Sequence, residues 1–204
     1  GNLTTPVRTY TNTYVYTQTG KQAYATNYLF NRLYTSTMSD GTHTVTLTTN
    51  SYDGISLQDV SSPGLHDAAY STTFTVRGNL SSKTTLQGTS TSVHDITGVP
   101  LSTNTNGLSV AYTPDTATNS VPTTITPNGV SSLTTTLGYT AAQTVNSVTA
   151  PNNATAGTTN DAYGRPLTST SGCVAGTTYT YITTPPFTTT ATVNGRGTKT
   201  VLDG

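Results

Sequence analysis

Hydrophobic or aromatic residues alternate with threonines along much of this chain, with a period of two. The segment 177–182 reads TTYTYI, and after the turn signal at Asp40 the residues His43, Val45 and Leu47 share one face opposite a row of threonines. Because successive side chains of a β-strand point to opposite faces, this alternation predicts short strands joined by hairpin turns. His43 is accordingly predicted to be a half-buried strand residue and not a ligand.

The segment 9–19 has the same period and carries an aromatic face. Tyr10, Tyr14 and Tyr16 would lie together on one side of this predicted strand. They could stack on sugars or bases, which makes them a possible binding face. They could equally pair across strands and cover a thin core with their hydroxyls in water.

A unit of about 21 residues recurs along the chain, and its clearest copy is 158–182. It contains a first turn, a short strand, a second turn and a Thr/Tyr strand. First turns begin at Asp95, Asp115, Thr140 and Asp161, at spacings of 20, 25 and 21 residues. Second turns fall at Asn106-Gly107, Asn128-Gly129, Asn152-Asn153 and Ser171-Gly172. Turns that repeat in phase predict stacked hairpins, since a single hairpin cannot bury its own face.

The residue types fit this interpretation. Aspartate or asparagine can bond its own backbone at a turn, and Gly98 and Gly164 would supply positive φ in the first turn. Aliphatic residues after each first turn are expected to point inward; these are Leu101, Ile125, Val148 and Leu167. The predicted fold class is therefore all-β, an extended antiparallel sheet of successive β-hairpin repeats, as in a solenoid or a spiral shell.

The repeat is not equally clear everywhere, and it divides the chain into three segments. Residues 1–49 are predicted to form Thr/Tyr-rich strands, 50–92 an irregular β segment with a long loop near 59–66, and 93–204 the hairpin repeats. All three are expected to belong to one continuous structure. The end of the chain, 201–204, looks like the opening of another unit, so we infer a piece of something longer.

Composition supports strands and limits the classes of partner. Threonine makes up about a quarter of the 204 residues, glutamate and tryptophan are absent, apolar residues are 32% and charged residues 8%. A net charge of zero gives no field to attract nucleic acid. No apolar run approaches the length needed to span a bilayer, so we expect no membrane insertion. The first residues do not resemble a signal peptide, as expected if a targeting segment was removed or if this is an interior piece. The low charge and the richness in threonine, asparagine and tyrosine resemble those of extracellular or cell-surface proteins.

One family has a motif of this kind. The run 160–167, NDAYGRPL, followed by TYTY, closely resembles the RHS/YD repeat, in which [YF]-D-x-x-G-[RN]-L precedes a hairpin and T-x-Y; Gly164 and Arg165 fill the family's G and R positions. Partial matches occur at Tyr52-Asp53, 77–80 and 94–98, and a fainter one at 31–33. The resemblance implies a sheet that spirals into a hollow shell, which encloses an effector in bacterial toxins and belongs to adhesion receptors in animals.

The resemblance also has departures. The tyrosine before the aspartate is replaced by His66, His94 and Asn160, and no Asp-Pro dipeptide is present. The family's self-cleaving core depends on aspartates in an Asp-Pro context, so that activity is not expected here. The resemblance implies a wall segment.

Catalytic chemistry is sparse. His66-Asp67 and His94-Asp95 are adjacent acid/base pairs, but neighbours in a strand point to opposite faces, so both pairs are expected to be structural. Cys173 is the single cysteine, which excludes an intrachain disulfide and a thiolate metal cluster. We expect no enzyme activity, no cofactor and no metal.

Two functions stay open beside the shell wall. One is a surface filament that assembles by strand addition, and the other is a carbohydrate-binding or adhesion module. The expected partners are neighbouring repeats or copies of the same protein, with an enclosed effector or glycans as further candidates.

Overall fold

The computed structural model describes residues 7–60, 63–64, 66–172 and 174–202. The fold is all-β, as predicted, and its strands are antiparallel. Within the described residues there is one short α-helix, α1, at Gln22–Thr26. Single 3-10 turns occur at Val15–Thr17, Ala68–Tyr70 and Ser131–Leu133. The chain divides into two compact units, Gly1–Ser120 (unit 1) and Val121–Gly204 (unit 2).

Unit 1 contains seven strands in its described part. They are β1 Thr9–Tyr14, β2 Leu33–Ser39, β3 Thr44–Tyr52, β4 Leu80–Thr85, β5 Gly88–His94, β6 Pro100–Thr105 and β7 Leu108–Pro114. Each strand pairs antiparallel with the next one in the chain, from β1 to β7. Short turns connect β2 to β3 and each strand from β4 to β7, which favours the pairing of sequential strands, whereas the connections 15–32 and 53–79 are longer.

Unit 2 contains eight strands in its described part. They are β8 Pro122–Pro127, β9 Thr135–Tyr139, β10 Val145–Thr149, β11 Thr155–Asn160, β12 Pro166–Ser171, β13 Val174–Ile182, β14 Phe187–Val193 and β15 Arg196–Leu202. They too pair antiparallel in chain order, from β8 to β15. In each unit, alternate connections therefore lie at the same edge of the sheet.

Tight hairpins occupy one of these edges. Asn106 and Gly107, between β6 and β7, have φ of 53° and 89°. Asn128 and Gly129 have 50° and 67°, but they open a longer connection that contains the 3-10 turn Ser131–Leu133. Positive φ at both central residues is the type I′ turn, whose twist matches that of the flanking strands. Asn194 and Gly195, with φ of 49° and 75°, repeat this geometry. Of the other predicted second turns, Asn152 accepts the Ala154 N–H at 3.1 Å beside Asn153 at φ 61°.

The hydrophobic core is thin. Among the described residues only Val15, Tyr24 and Ile96 are buried hydrophobic residues, and all three lie in unit 1. The expectation of inward aliphatic residues is wrong for Leu167, whose exposure is 39%. Leu101, Ile125 and Val148 are only half-buried. Backbone pairing therefore holds most of the sheet.

Two further expectations are wrong. The strand predicted for 9–19 ends at Tyr14, because the chain turns into the 3-10 segment Val15–Thr17. His43 is not half-buried: 80% of its side chain is exposed, and its Nδ1 lies 3.5 Å from Asp40 Oδ2 in the β2–β3 turn. The three-segment division stays a prediction, and Cys173 lies outside the described residues. No helix in the described ranges is long and apolar enough to span a bilayer.

Candidate functional site

The predicted first turns lie at the edge opposite the tight hairpins. We call them the aspartate turns: they open at Asp95 and Asp115 in unit 1 and at Thr140 and Asp161 in unit 2. Asp95 connects β5 to β6, Thr140 connects β9 to β10, and Asp161 connects β11 to β12. Asp115 follows β7. A fifth aspartate turn opens at Asp53 after β3.

The turns at Asp95 and Asp161 have the same hydrogen bonds. The Asp95 N–H donates to the Val99 carbonyl at 3.0 Å, and the Gly98 N–H donates back to the Asp95 carbonyl at 3.0 Å. Asp95 Oδ1 accepts the N–H groups of Thr97 and Val99, the residues on either side of Gly98. Gly98 has a φ of 86°, which a residue without Cβ adopts without strain.

The turn at Asp161 contains the corresponding hydrogen bonds. The Asp161 N–H donates to the Arg165 carbonyl at 2.9 Å, and the Gly164 N–H donates to the Asp161 carbonyl at 3.0 Å. Asp161 Oδ1 accepts the N–H groups of Tyr163 and Arg165, both at 2.9 Å. Gly164 has a φ of 79°. The aspartate side chain thus satisfies the two amides that the turn leaves without a ladder partner.

The turn at Asp53 is an aspartate turn of the same kind as that at Asp95, with a long segment inserted between its aspartate and its glycine. The Asp53 N–H donates to the Asn79 carbonyl at 2.8 Å, as Asp95 does to Val99. The Asp53 carboxylate accepts the N–H groups of Arg77, Gly78 and Asn79 at 2.8 to 3.0 Å. Gly78 has a φ of 75° and takes the place of Gly98. Residues 54–76, which we call the insertion, leave and re-enter one turn.

The remaining two turns replace the glycine. In the turn at Asp115, Asn119 is the left-handed residue, with a φ of 53°, and its N–H donates to the Asp115 carbonyl at 3.1 Å. The N–H groups of Thr118 and Ser120 donate to the Asp115 carboxylate. In the turn at Thr140, Gln143 is left-handed, with a φ of 59°, and the Thr140 N–H donates to the Thr144 carbonyl.

An asparagine at the glycine position links two successive turns. Asn119 Nδ2 donates to Asp95 Oδ2 at 2.7 Å and to Thr97 Oγ1 at 2.9 Å. Asp95 is fully buried, with an exposure of 0%, and Asn119 is 9% exposed. The buried carboxylate is tolerable because four donors surround it: the Thr97 N–H and hydroxyl, the Val99 N–H and Asn119.

Asp161 has a charged partner within its own turn. Arg165 Nε and one terminal nitrogen each lie 2.7 Å from Asp161 Oδ2, and the guanidinium lies 4.3 Å from the centre of the Tyr181 ring. Partial desolvation raises the pKa of Asp161, but the hydrogen bonds from Arg165 and Tyr163 outweigh it. They hold that pKa below its usual range.

Asp53 is supported by a residue that the sequence did not single out. Tyr24, on α1, is 3% exposed, and its hydroxyl lies 2.8 Å from Asp53 Oδ2. Burial and this hydrogen bond raise the pKa of Tyr24 well above its ordinary range. Tyr24 and Asn119 are the two residues that sequence reasoning missed. No local spacing signals either contact, because the partners are 29 and 24 residues away.

The predicted tyrosine face is only partly assembled. Tyr10 and Tyr14 are on β1 with exposures of 62% and 36%, whereas Tyr16 lies in the 3-10 turn that follows. Tyr16 packs edge-on against Phe30, with ring centres 5.3 Å apart, and Tyr14 lies 6.3 Å from Tyr16. The tilted rings form a small packed cluster and not a flat platform.

The His-Asp pairs are incorporated into the framework. Asp95 forms its turn, and His94 lies 3.4 Å from Ser92 Oγ through Nε2. His66 Nε2 lies 3.1 Å from the Ile96 carbonyl, and Asp67 accepts the Ala69 N–H. In the described ranges no group of three or more His, Cys, Asp or Glu side chains is placed to hold a metal ion.

Comparison with known proteins gives a likeness of fold. No family model matches the chain, and no curated protein matches it. Among solved structures, the crystal structure of TcdB2-TccC3-TEV matches 92% of this chain with a TM-score of 0.57 and 14% sequence identity. The Photorhabdus luminescens Tc holotoxin pore also matches 92%, with a TM-score of 0.42 and 13% identity.

The likeness concerns a small part of much longer proteins. This chain spans 9% of the length of each of these matched chains. At 14% identity the first match establishes similarity of fold alone. The chain therefore has a fold distantly similar to part of the TcdB2-TccC3-TEV structure.

Proposed function

We propose that this chain is a non-enzymatic structural module that forms part of the wall of a shell or scaffold in a large secreted or cell-surface protein. The observation that carries the proposal is the recurrence of the aspartate turn at successive connections along one edge of each unit. A repeated connection sets each hairpin in the same relation to the one before it. A wall built from hairpins requires this regularity.

The distribution of apolar side chains supports the same conclusion. No hydrophobic side chain is buried in the described part of unit 2, while Ile182 and Val201 are 52% and 53% exposed. Strands of this kind gain stability from neighbouring repeats more than from a core of their own. The partners that fit are neighbouring repeats of the same protein and a chain enclosed by the wall.

The test is cryo-electron microscopy of the full-length product of the gene. The proposal expects the sheet of this chain to continue, strand by strand, into a curved wall of similar hairpins. A structure in which these strands instead form two sheets packed face to face in an isolated domain would overturn it. Density for an enclosed chain would identify the wall as that of a container.

A surface filament is the second candidate, and β15 favours it. Every residue of β15 is exposed, and among the described strands it pairs only with β14. Exposed strand edges recruit further strands. If the chain forms filaments, its sedimentation coefficient should rise with protein concentration. Val201→Lys should suppress this rise, because it places a charge on β15. Val193→Lys, on β14 between two strands, is the matched control. A monomer at all concentrations would exclude the filament.

A further inference from the structure

Unit 1 contains a cavity of about 350 Å³ between the insertion and one face of β4 and β5. Ser81, Ser92 and His94 form its floor on the sheet, and Leu57 and Thr72 belong to its roof. Ile55 and Thr75 complete the roof. The floor residues share a face because Ser82 pairs with Thr91, which places Ser81 opposite Ser92.

The insertion that forms the roof is not needed to close the turn. The Asp53 carboxylate accepts the N–H groups of Arg77 and Asn79 as the Asp95 carboxylate accepts those of Thr97 and Val99, and the Asp95 turn does so without any insertion. The roof is nevertheless fixed to the floor. The Gln58 N–H donates to the His94 carbonyl at 3.0 Å, and the Ile96 N–H donates to the Gln58 carbonyl at 3.0 Å. The insertion is therefore an additional segment that is hydrogen-bonded over one face of the sheet, and a segment of this kind is where a binding site is expected.

The cavity offers no uncommitted charge. The Asp53 carboxylate already accepts three backbone N–H groups and the Tyr24 hydroxyl. Burial lowers the pKa of His94, which keeps its imidazole neutral at neutral pH. An anionic ligand would find no positive charge in the lining, and a cationic one only the Asp53 carboxylate, which is already bonded. An uncharged ligand is therefore favoured.

The Ser81 hydroxyl donates to the Ser51 carbonyl and accepts the Gly54 N–H, so the polar groups that remain are the other hydroxyls, the His94 imidazole and the Asn79 amide. Ser92 Oγ and His94 Nε2 are 3.4 Å apart, a long contact that a ligand hydroxyl could replace. Asn79 lines the cavity, and its Nδ2 is buried with no hydrogen-bond partner in the described structure. A small rotation of this amide would let Nδ2 donate a hydrogen bond to a ligand. Binding would then remove the free-energy cost of a buried donor without a partner. Ile55 and Leu57 offer apolar surface to C–H groups.

We propose that this cavity binds a small, uncharged, polyhydroxylated molecule of the size of one hexose. A recess of this volume lies at the lower end of the range for small-molecule sites, and a few convergent polar groups beside apolar walls are the usual lining of such sites. Hydroxyl groups both donate and accept hydrogen bonds, which suits the serine, threonine and neutral histidine side chains.

Saturation-transfer NMR on the whole chain tests the proposal. The probes are glucose, galactose, mannose and N-acetylglucosamine, with glucosamine and glucuronate as charged counterparts. At least one neutral sugar should bind saturably, with a dissociation constant on the order of 1 mM, and the charged analogues should bind at least fivefold more weakly. The His94→Gln and Ser92→Ala variants should each weaken binding about 5- to 10-fold.

Two further variants keep the test decisive. Leu57→Trp should fill the cavity from the roof and abolish binding while the floor stays intact. Thr178→Ala, on an exposed position of β13, should leave the affinity unchanged. Absence of saturable binding for all four neutral sugars would overturn the proposal, and so would an affinity that is the same in the Leu57→Trp variant. Neither outcome bears on the proposed wall.

Discussion

Asn119 Nδ2 lies 2.7 Å from Asp95 Oδ2, and this hydrogen bond joins two successive aspartate turns in the interior of unit 1. Asp95 is the largest fully buried side chain in the described structure. The contact exists because Asn119 occupies the position at which other turns have glycine, so the left-handed residue has a side chain that reaches the preceding turn. One residue therefore serves its own turn and its neighbour.

Replacing Asn119 should separate these two roles. Asn119→Gly fits the φ of 53° but leaves Asp95 Oδ2 without this partner, so unit 1 should lose about 1.5–3 kcal/mol, the usual value of a hydrogen bond to a charged group. The matched control is Asn153→Gly, at a φ of 61° in an exposed turn, which should change stability by less than about 0.5 kcal/mol. Urea unfolding followed by the NMR signals of β5 and β6 measures the first loss. Equal effects of the two variants would exclude the proposed role of the Asn119 side chain.

Gln143 should be a site at which glycine stabilises the protein. A residue with Cβ in the left-handed region costs about 1–2 kcal/mol, and glycine loses about 0.5–1 kcal/mol through the greater freedom of the unfolded chain. Relief of the backbone strain alone should therefore contribute roughly 0.5–1 kcal/mol to the stability of unit 2 in Gln143→Gly, and any shortfall measures the interactions of the Gln143 side chain. Thermal unfolding monitored at β9 and β10 shows whether the variant is more or less stable than the original protein.

Gly164→Ala is the reciprocal variant. A Cβ at Gly164 would meet no heavy atom within 4 Å, so the φ of 79° is the only penalty. Unit 2 should lose roughly 0.5–1 kcal/mol, because the smaller freedom of alanine in the unfolded chain offsets part of the roughly 1–2 kcal/mol of backbone strain. If Gln143→Gly destabilises the protein while Gly164→Ala behaves as expected, contacts of the Gln143 side chain outweigh its backbone strain.

The pair of Asp161 and Arg165 should make unit 2 sensitive to acid. The pKa of Asp161 in the folded protein lies below its value in the unfolded chain, so the unfolded state binds the proton first as the pH falls. The contribution of this carboxylate is present above about pH 4 and is lost as the pH falls through the lower, folded value. In Asp161→Asn this pH dependence should disappear. Unfolding midpoints of both proteins from pH 7 to pH 2 provide the measurement, and parallel curves would contradict the assignment.

Sequence periodicity predicts the strands and the positions of the aspartate turns, because both depend on neighbours within a few residues. Asp161 and Gly164 stand close enough for their bonds to be inferred from the turn chemistry alone. The turn at Asp53 is different, since its glycine follows 25 residues later at Gly78 and only the folded chain brings the two together. The same reason hides Tyr24 and Asn119, whose partners are distant in sequence.

Burial was harder to predict than pairing. A period of two indicates that a strand has two different faces, but it does not indicate that anything covers either face. Leu167 has the position expected of an inward residue, yet it is 39% exposed. Ile96 is buried because the insertion and the turn at Asp95 meet above it: its N–H donates to Gln58, and its carbonyl accepts the Arg77 guanidinium. The core is built by the elaborated connections of unit 1, which have no repeating pattern.

Removal of the insertion should leave the β3–β4 pair intact. Residues 54–77 can be replaced by Ile-Thr, the dipeptide that stands between Asp95 and Gly98, which would recreate the short form of the turn. The variant should fold with β3 and β4 in their present register, in which Asn50 pairs with Lys83. It should be less stable, because the Ile96 carbonyl would lose the Arg77 guanidinium and the Ile96 N–H would lose the Gln58 carbonyl.

The decisive comparison adds Asp53→Ala to the shortened chain. Without the carboxylate, the amides of the new threonine and of Asn79 lose the acceptor that Asp95 provides to Thr97 and Val99, and each buried amide without a partner costs about 1–3 kcal/mol. Cross-strand NOEs between Asn50 and Lys83 and amide exchange in β4 should then show normal pairing in the shortened chain and disrupted pairing in the double variant. If the shortened chain loses the pairing while Asp53 is present, the insertion is part of the turn itself, and the turn at Asp53 is not the same device as the turn at Asp95.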